Sequence, residues 1–136
     1  MMRYRLMVLF LGFLLCSCAG KVGVSYVGPL PEQPAVERIA ADAVDRLAAV
    51  YPPGHTNLRL LGPQTADNFS ASFENGLRKK GFTISPTGTE RVTWIFDELR
   101  PAKTGWYLRL KTESRTLSRT YGANGNPAAG WAEMTE

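Results

Sequence analysis

RVTWIFDELRPAKTGWYLRLKTESRTLSRTY, residues 91–121, sets its apolar side chains at every second position. Val92, Trp94 and Phe96 form one series, Trp106, Leu108 and Leu110 a second, and Leu117, Arg119 and Tyr121 a third. Successive side chains of a strand point to opposite faces, so a period of two predicts three strands with one face turned to a core. The polar stretch Arg100 to Thr104 separates the first two strands, and Ser114 lies close to a tight turn before the third. Short connections of this kind join antiparallel neighbours. Asp97 and Glu98 are adjacent in the first strand, so they project to opposite faces and do not converge as an acid/base pair.

Upstream the period changes. Val36, Ile39, Ala40, Ala43, Val44, Leu47, Ala48 and Tyr51 share one helical face, which predicts a helix from about Pro34 to Tyr51. Glu32 and Glu37 favour its start. Pro52-Pro53-Gly54 stops it, because a proline disfavours helix at the residue before it and donates no backbone bond. Thr56 to Leu61 reads as a strand. A second helix is predicted from Thr65 to Lys80, with Ala66, Phe69, Phe73 and Leu77 buried, the basic trio Arg78-Lys79-Lys80 in its last turn and Gly81 as its stop. Phe82 and Ile84 resume the strand period.

The fold class that follows is α+β, a single small domain with two helices packed on a mainly antiparallel sheet of four or five strands. Its expected limits are residues 35–122. Residues 18–34, rich in glycine and proline, read as a flexible tether that could extend to about 55 Å. Within it Val22 to Val27 could also add as an edge strand to a partner. Residues 123–136 read as a Gly/Pro-containing tail, in which Trp131 either folds back onto the domain or awaits a partner.

The 136 residues leave room for one domain, and 44% hydrophobic content suffices for its core. Catalytic chemistry finds few tools. His55 is the only histidine, set in a turn after Pro52-Pro53-Gly54, and Cys16 and Cys18 both fall at the end of the N-terminal apolar run. A metal site needs converging His, Cys, Asp or Glu ligands, and a nucleophile needs a nearby base. No catalytic residue, no metal site and no cofactor other than a covalent lipid is expected, so the reading is of a protein that is not an enzyme and has no small-molecule substrate.

Met1 to Arg5 is a short basic head, and Leu6 to Leu15 an uninterrupted apolar run. Ten residues at about 1.5 Å rise reach about half of a bilayer's hydrocarbon thickness, so the run reads as a secretion signal rather than a span. Leu15-Cys16-Ser17-Cys18 resembles the lipobox of bacterial lipoproteins, with leucine three residues before the modified cysteine and a small residue just before it. The resemblance implies removal of residues 1–17 and lipidation of Cys18 with long acyl chains such as palmitate. Cys16 itself departs from the usual small or β-branched residue at its position. The competing reading is an ordinary signal peptide. Ala19, where aspartate would mark inner-membrane retention, implies the outer membrane, with the domain facing the periplasm. Without Arg3 and Arg5 the 16 basic residues fall to 14 against 12 acidic ones. So small an excess, spread along the chain, gives no case for direct nucleic-acid binding, which needs a clustered basic face.

Taken in order, the lipobox, the Ala-rich helix ending in Tyr51-Pro52-Pro53, the helix with Asp67, Phe69, Leu77 and Arg78 followed by Gly81-Phe82, then Leu117-Ser118-Arg119-Thr120-Tyr121 and Gly130-Trp131 resemble the TrbH family of conjugal-transfer lipoproteins. The resemblance implies a component of a mating-pair-formation apparatus, a type IV secretion system. Its expected role there is structural or in assembly, through contacts with other secretion-channel subunits, with the lipid on Cys18 as membrane anchor. Tyr26, Tyr121 and Trp131 are the candidate partner contacts. The alternative is a free-standing envelope lipoprotein that contacts peptidoglycan or regulates cell-wall enzymes.

Overall fold

The computed structural model of the chain describes residues 25–101 and 104–136. Helix α1 (Gln33–Val50) lies within a residue of the expected limits and buries Ala35, Val36, Ile39, Ala40, Ala43, Val44 and Leu47. Pro34 occupies its first turn, where no backbone donor is needed. Tyr51 is already extended ahead of Pro52, at φ −123° and ψ 130°. A short 3-10 turn (Pro53–His55) leads into strand β2 (Asn57–Leu60).

Helix α2 (Asn68–Lys80) starts later than the hydrophobic pattern predicts. The capping residue is Asp67, whose Oδ1 accepts from Ser70 N and whose Oδ2 accepts from Ser70 Oγ, each at 2.7 Å. That cap satisfies a donor the helix cannot satisfy internally, and so fixes its start. Thr65 and Ala66 consequently remain in the preceding loop, and Ala66 is exposed rather than buried. At the other end Gly81 takes a left-handed φ of 106°. Its N–H donates to Arg78 O while Phe82 N–H donates to Leu77 O, which closes the helix by the pattern that favours glycine at this position.

Strand β1 is Tyr26–Val27, β3 Thr83–Ile84, β4 Glu90–Glu98, β5 Gly105–Lys111, β6 Arg115–Gly122 and β7 Ala132–Thr135. Among the described residues they form one seven-stranded sheet in the order β3-β2-β4-β5-β6-β7, with β1 also on β4. The expectation of four or five mainly antiparallel strands is corrected to seven in a mixed sheet. β4 through β7 are antiparallel, as the short connections require, but β1 and β2 run parallel to β4, and β3 parallel to β2. The physical reason is the two helices: each carries the chain from one end of the sheet back to the other, as a parallel crossover must.

β1 and β2 share one flank of β4, end to end. β2 pairs with Glu90 to Val92 and β1 with Ile95 and Phe96. Where they meet, buried Ser25 completes the ladder: its Oγ donates to Leu61 O at 2.5 Å and accepts from Trp94 N at 2.9 Å. The stretch expected as tether up to residue 34 is therefore part of the fold from Ser25 onward. The expected tail is corrected likewise. Gly125, at φ 82°, lies so close to helix α1 that an added Cβ would stand 2.8 Å from Ala35 O, and β7 pairs with β6 from Ser118 to Arg115.

A single core fills the space between helices and sheet. Phe69 stacks on Phe96 at 4.7 Å between centroids and on Phe73 at 5.8 Å, and Phe73 meets Trp94 edge-on at 5.3 Å. Trp94 and Trp106 stand on the helix side, with Trp94 buried and Trp106 packed partly buried against the core.

Candidate functional site

Leu15, Cys16, Ser17 and Cys18 lie outside the described residues, so the expected cleavage and lipidation rest on sequence. Among the described residues no helix is long and apolar enough to cross a membrane. No group of three or more His, Cys, Asp or Glu side chains is gathered there to hold a metal ion. His55 is exposed in the 3-10 turn.

The three candidate partner contacts are placed very differently. Tyr121 is 1% exposed and gives its hydroxyl proton to Asp42 Oδ2 at 2.6 Å, so it is a core residue and not a docking side chain. Burial, reinforced by the hydrogen bond and the charge of Asp42, pushes its phenol well above the usual tyrosine range. Trp131 folds back: it packs partly buried against the core, with the Arg119 guanidinium 5.6 Å from its ring centroid. Tyr26 alone is free, at 50% exposed.

Tyr121 and Trp131 belong to one device. Arg119 Nη1 donates to both carboxylate oxygens of Asp42, at 3.0 and 2.9 Å, and Arg119 Nε donates to Ala129 O at 2.7 Å. Beside it Glu133 accepts from Arg46 at 2.7 Å and from Arg115. These contacts fasten the C-terminal segment and β7 to α1 and β6, although every residue of β7 is exposed. One sign of this was legible: Arg119 alternates with Leu117 and Tyr121 on the inward side, and a charge facing inward needs a partner. Asp42 as that partner was not, because 77 positions separate them.

The other surface is the side of the sheet that faces away from both helices. Alternation carries Tyr26, Ile95, Tyr107, Arg109, Ser118 and Met134 onto it, and the register aligns Tyr26, Ile95, Arg109 and Ser118 in one cross-strand row. No element covers it among the described residues. Among the described residues the exposed large apolar side chains are Tyr26 and Met134, at 50% and 66%, and both stand here. At one margin a hollow of about 270 Å³ is lined by Arg91, Thr93, Lys111, Glu113 and Glu136. Its charges neutralise each other: Arg91 bonds Glu113, and Lys111 Nζ lies 3.2 Å from Glu136. The Arg91 guanidinium holds the Glu113 carboxyl below its ordinary range, and Glu113 raises Arg91 in turn.

A family model described as conjugal transfer protein TrbH matches residues 22–135, a span that takes in both helices and all seven strands. No curated protein and no solved structure matches the chain.

Proposed function

The chain belongs to the TrbH family of conjugal transfer proteins, and from that premise we propose that it is a lipoprotein anchored through Cys18 in the outer membrane, facing the periplasm, where it supports the transfer apparatus through contacts with other channel subunits. The observation that carries the reading is the extent of the family match, which covers the whole folded body and so makes conjugal transfer the setting of this domain. Two features support the finer statement. The basic head, apolar run and Leu15-Cys16-Ser17-Cys18 at the start of the chain have the order of a lipoprotein signal. The domain offers a broad uncovered sheet and internally paired charges, which suits a structural part better than an enzyme.

Lipid on Cys18 would supply roughly 0.8 kcal/mol for every buried methylene, so two or three acyl chains hold the protein to its membrane. The role is tested in donor cells that carry a tagged copy. After crosslinking and mild solubilisation, other transfer subunits are expected to co-purify with wild type and to fall sharply with Cys18→Ser. Equal labelling of the two by a fatty-acid probe would refute the anchor. Recovery of cell-wall enzymes alone would refute the channel role.

A further inference from the structure

We propose that the uncovered face of the sheet lies on the phospholipid headgroups of the membrane that holds Cys18, so that the domain is docked flat and not held at a distance. This rests on the lipid-anchor reading. The first argument is reach. Ser25 is fixed between Leu61 and Trp94, so only residues 19–24 separate the anchor from the fold. Seven Cα steps span at most about 25 Å. A domain of this size has a radius of gyration of about 14 Å and hence a width near 35 Å, so it cannot rise clear of the bilayer by even its own width.

The second argument is which surface stands beside that attachment. Tyr26 follows Ser25 directly and is half-exposed on the uncovered face, and Met134 is exposed on the same face at its far edge. Ile95 and Tyr107 lie between. Tyrosines with an apolar ring and a polar tip favour the headgroup level. Charge agrees. Arg59 and Arg109 occupy this face with no ion pair among the described residues, whereas Glu113 is paired with Arg91 and Glu136 with Lys111, which leaves Asp97 as its charged carboxylate without a cation partner. The Arg109 guanidinium, and that of Arg59, whose charge also bears on Glu113, suit lipid phosphates, which they can bind through paired hydrogen bonds.

The folded body has no cysteine, so single thiols can be introduced for labelling. Ser118→Cys and Tyr107→Cys report the sheet face, and Ala41→Cys and Lys79→Cys the helices. Each lipidated full-length variant, verified by circular dichroism, is labelled with an environment-sensitive fluorophore and placed in vesicles of phosphatidylethanolamine and phosphatidylglycerol that contain a spin-labelled lipid quencher. Quenching is expected at Ser118 and Tyr107 and not at Ala41 or Lys79. Arg109→Gln should weaken the docked state about five-fold, the contribution of one basic residue near an anionic surface. Quenching on the helix side, or on neither side, overturns the orientation. So does a photocrosslinker at Ser118 that yields a discrete protein adduct in cells in place of lipid adducts. Failure of the protein to float with the vesicles sinks the anchor and the docking together, whereas flotation without sheet-face quenching sinks the docking alone.

Discussion

The two faces of one sheet are built from the same strands by the same alternation, yet they are opposites. On the helix side Phe96, Leu108, Leu110 and Leu117 are wholly buried and Tyr121 nearly so. One residue away along each strand, Ile95, Arg109, Ser118 and Thr120 are only partly covered. The charges differ in the same sense. Asp42 and Arg119 on the covered side retain 26% and 18% of their side-chain exposure, while Glu113 and Arg91 on the open side retain 38% and 43%. The covered face is where stability resides. The open face is free to be selected for what it touches, because substitutions there cost the fold little.

The widest separation between the faces should come from neighbouring residues. Phe96→Ala removes a ring stacked on Phe69 at 4.7 Å and leaves a cavity in a filled core, a change that typically costs about 3–5 kcal/mol. Ile95→Ala, the next residue on the same strand, should cost about 1 kcal/mol or less, because its side chain is already part-solvated. Urea unfolding measures both. Comparable losses would mean that the open face is covered by something in solution, and would break the comparison.

A smaller effect is expected from the covered ion pair. Asp42→Ala deprives Arg119 of both its carboxylate contacts and Tyr121 of its acceptor. A fully buried pair broken this way costs about 3–5 kcal/mol, and partial solvation here reduces the expectation to about 2 kcal/mol. The same site has an alkaline signature. The folded-state pKa of Tyr121 lies above its unfolded value of 10.0. Its contribution is therefore complete below pH 10 and is lost as pH rises beyond it, since the unfolded chain can release a proton the fold retains. Above pH 10 wild type should lose more stability than Tyr121→Phe.

The same contrast explains how much could be read without coordinates. Both helices and the long strands β4, β5 and β6 were legible because each repeats its pattern over several turns or several pairs. β1 was legible only in part: the stretch up to Val27 read as tether or as an edge strand for a partner, whereas Tyr26 and Val27 pair with the chain's own β4. Its existence depends on β2 ending at Leu60 and leaving the far half of β4 unpaired, a fact of three dimensions. β7 was hidden for another reason. All four of its side chains are exposed, so it has no hydrophobic signature and is held by backbone pairing and by the Glu133 contacts with Arg46 and Arg115. Of the candidate contacts, Tyr26 is exposed as a docking residue must be, while Tyr121 sits on the inward row that its alternation with Leu117 already marked. Cys18 lies outside the described residues, and its reading as an anchor comes from the motif alone.

The slightest expected effect belongs to the open-face pair, and it sharpens the comparison through its sign and its fragility. Glu113 accepts from Arg91 Nε and Nη2, the latter at 3.0 Å, and this hydrogen bonding holds its pKa below the ordinary 4.5. A carboxyl with a depressed folded-state pKa contributes stability above its unfolded value and loses it as pH falls through the folded one. Wild type should therefore exceed Glu113→Gln slightly above pH 4.5, and the two should converge in more acidic solution. Both groups are solvated, so raising the salt to about 1 M, where the screening length is about 3 Å, should abolish the difference at neutral pH. The Asp42 to Arg119 pair, enclosed by Tyr121 and Trp131, should keep most of its contribution under the same salt. If both pairs responded alike, the two faces would share one electrostatic environment, and the distinction between a stabilising side and a contact side would fail.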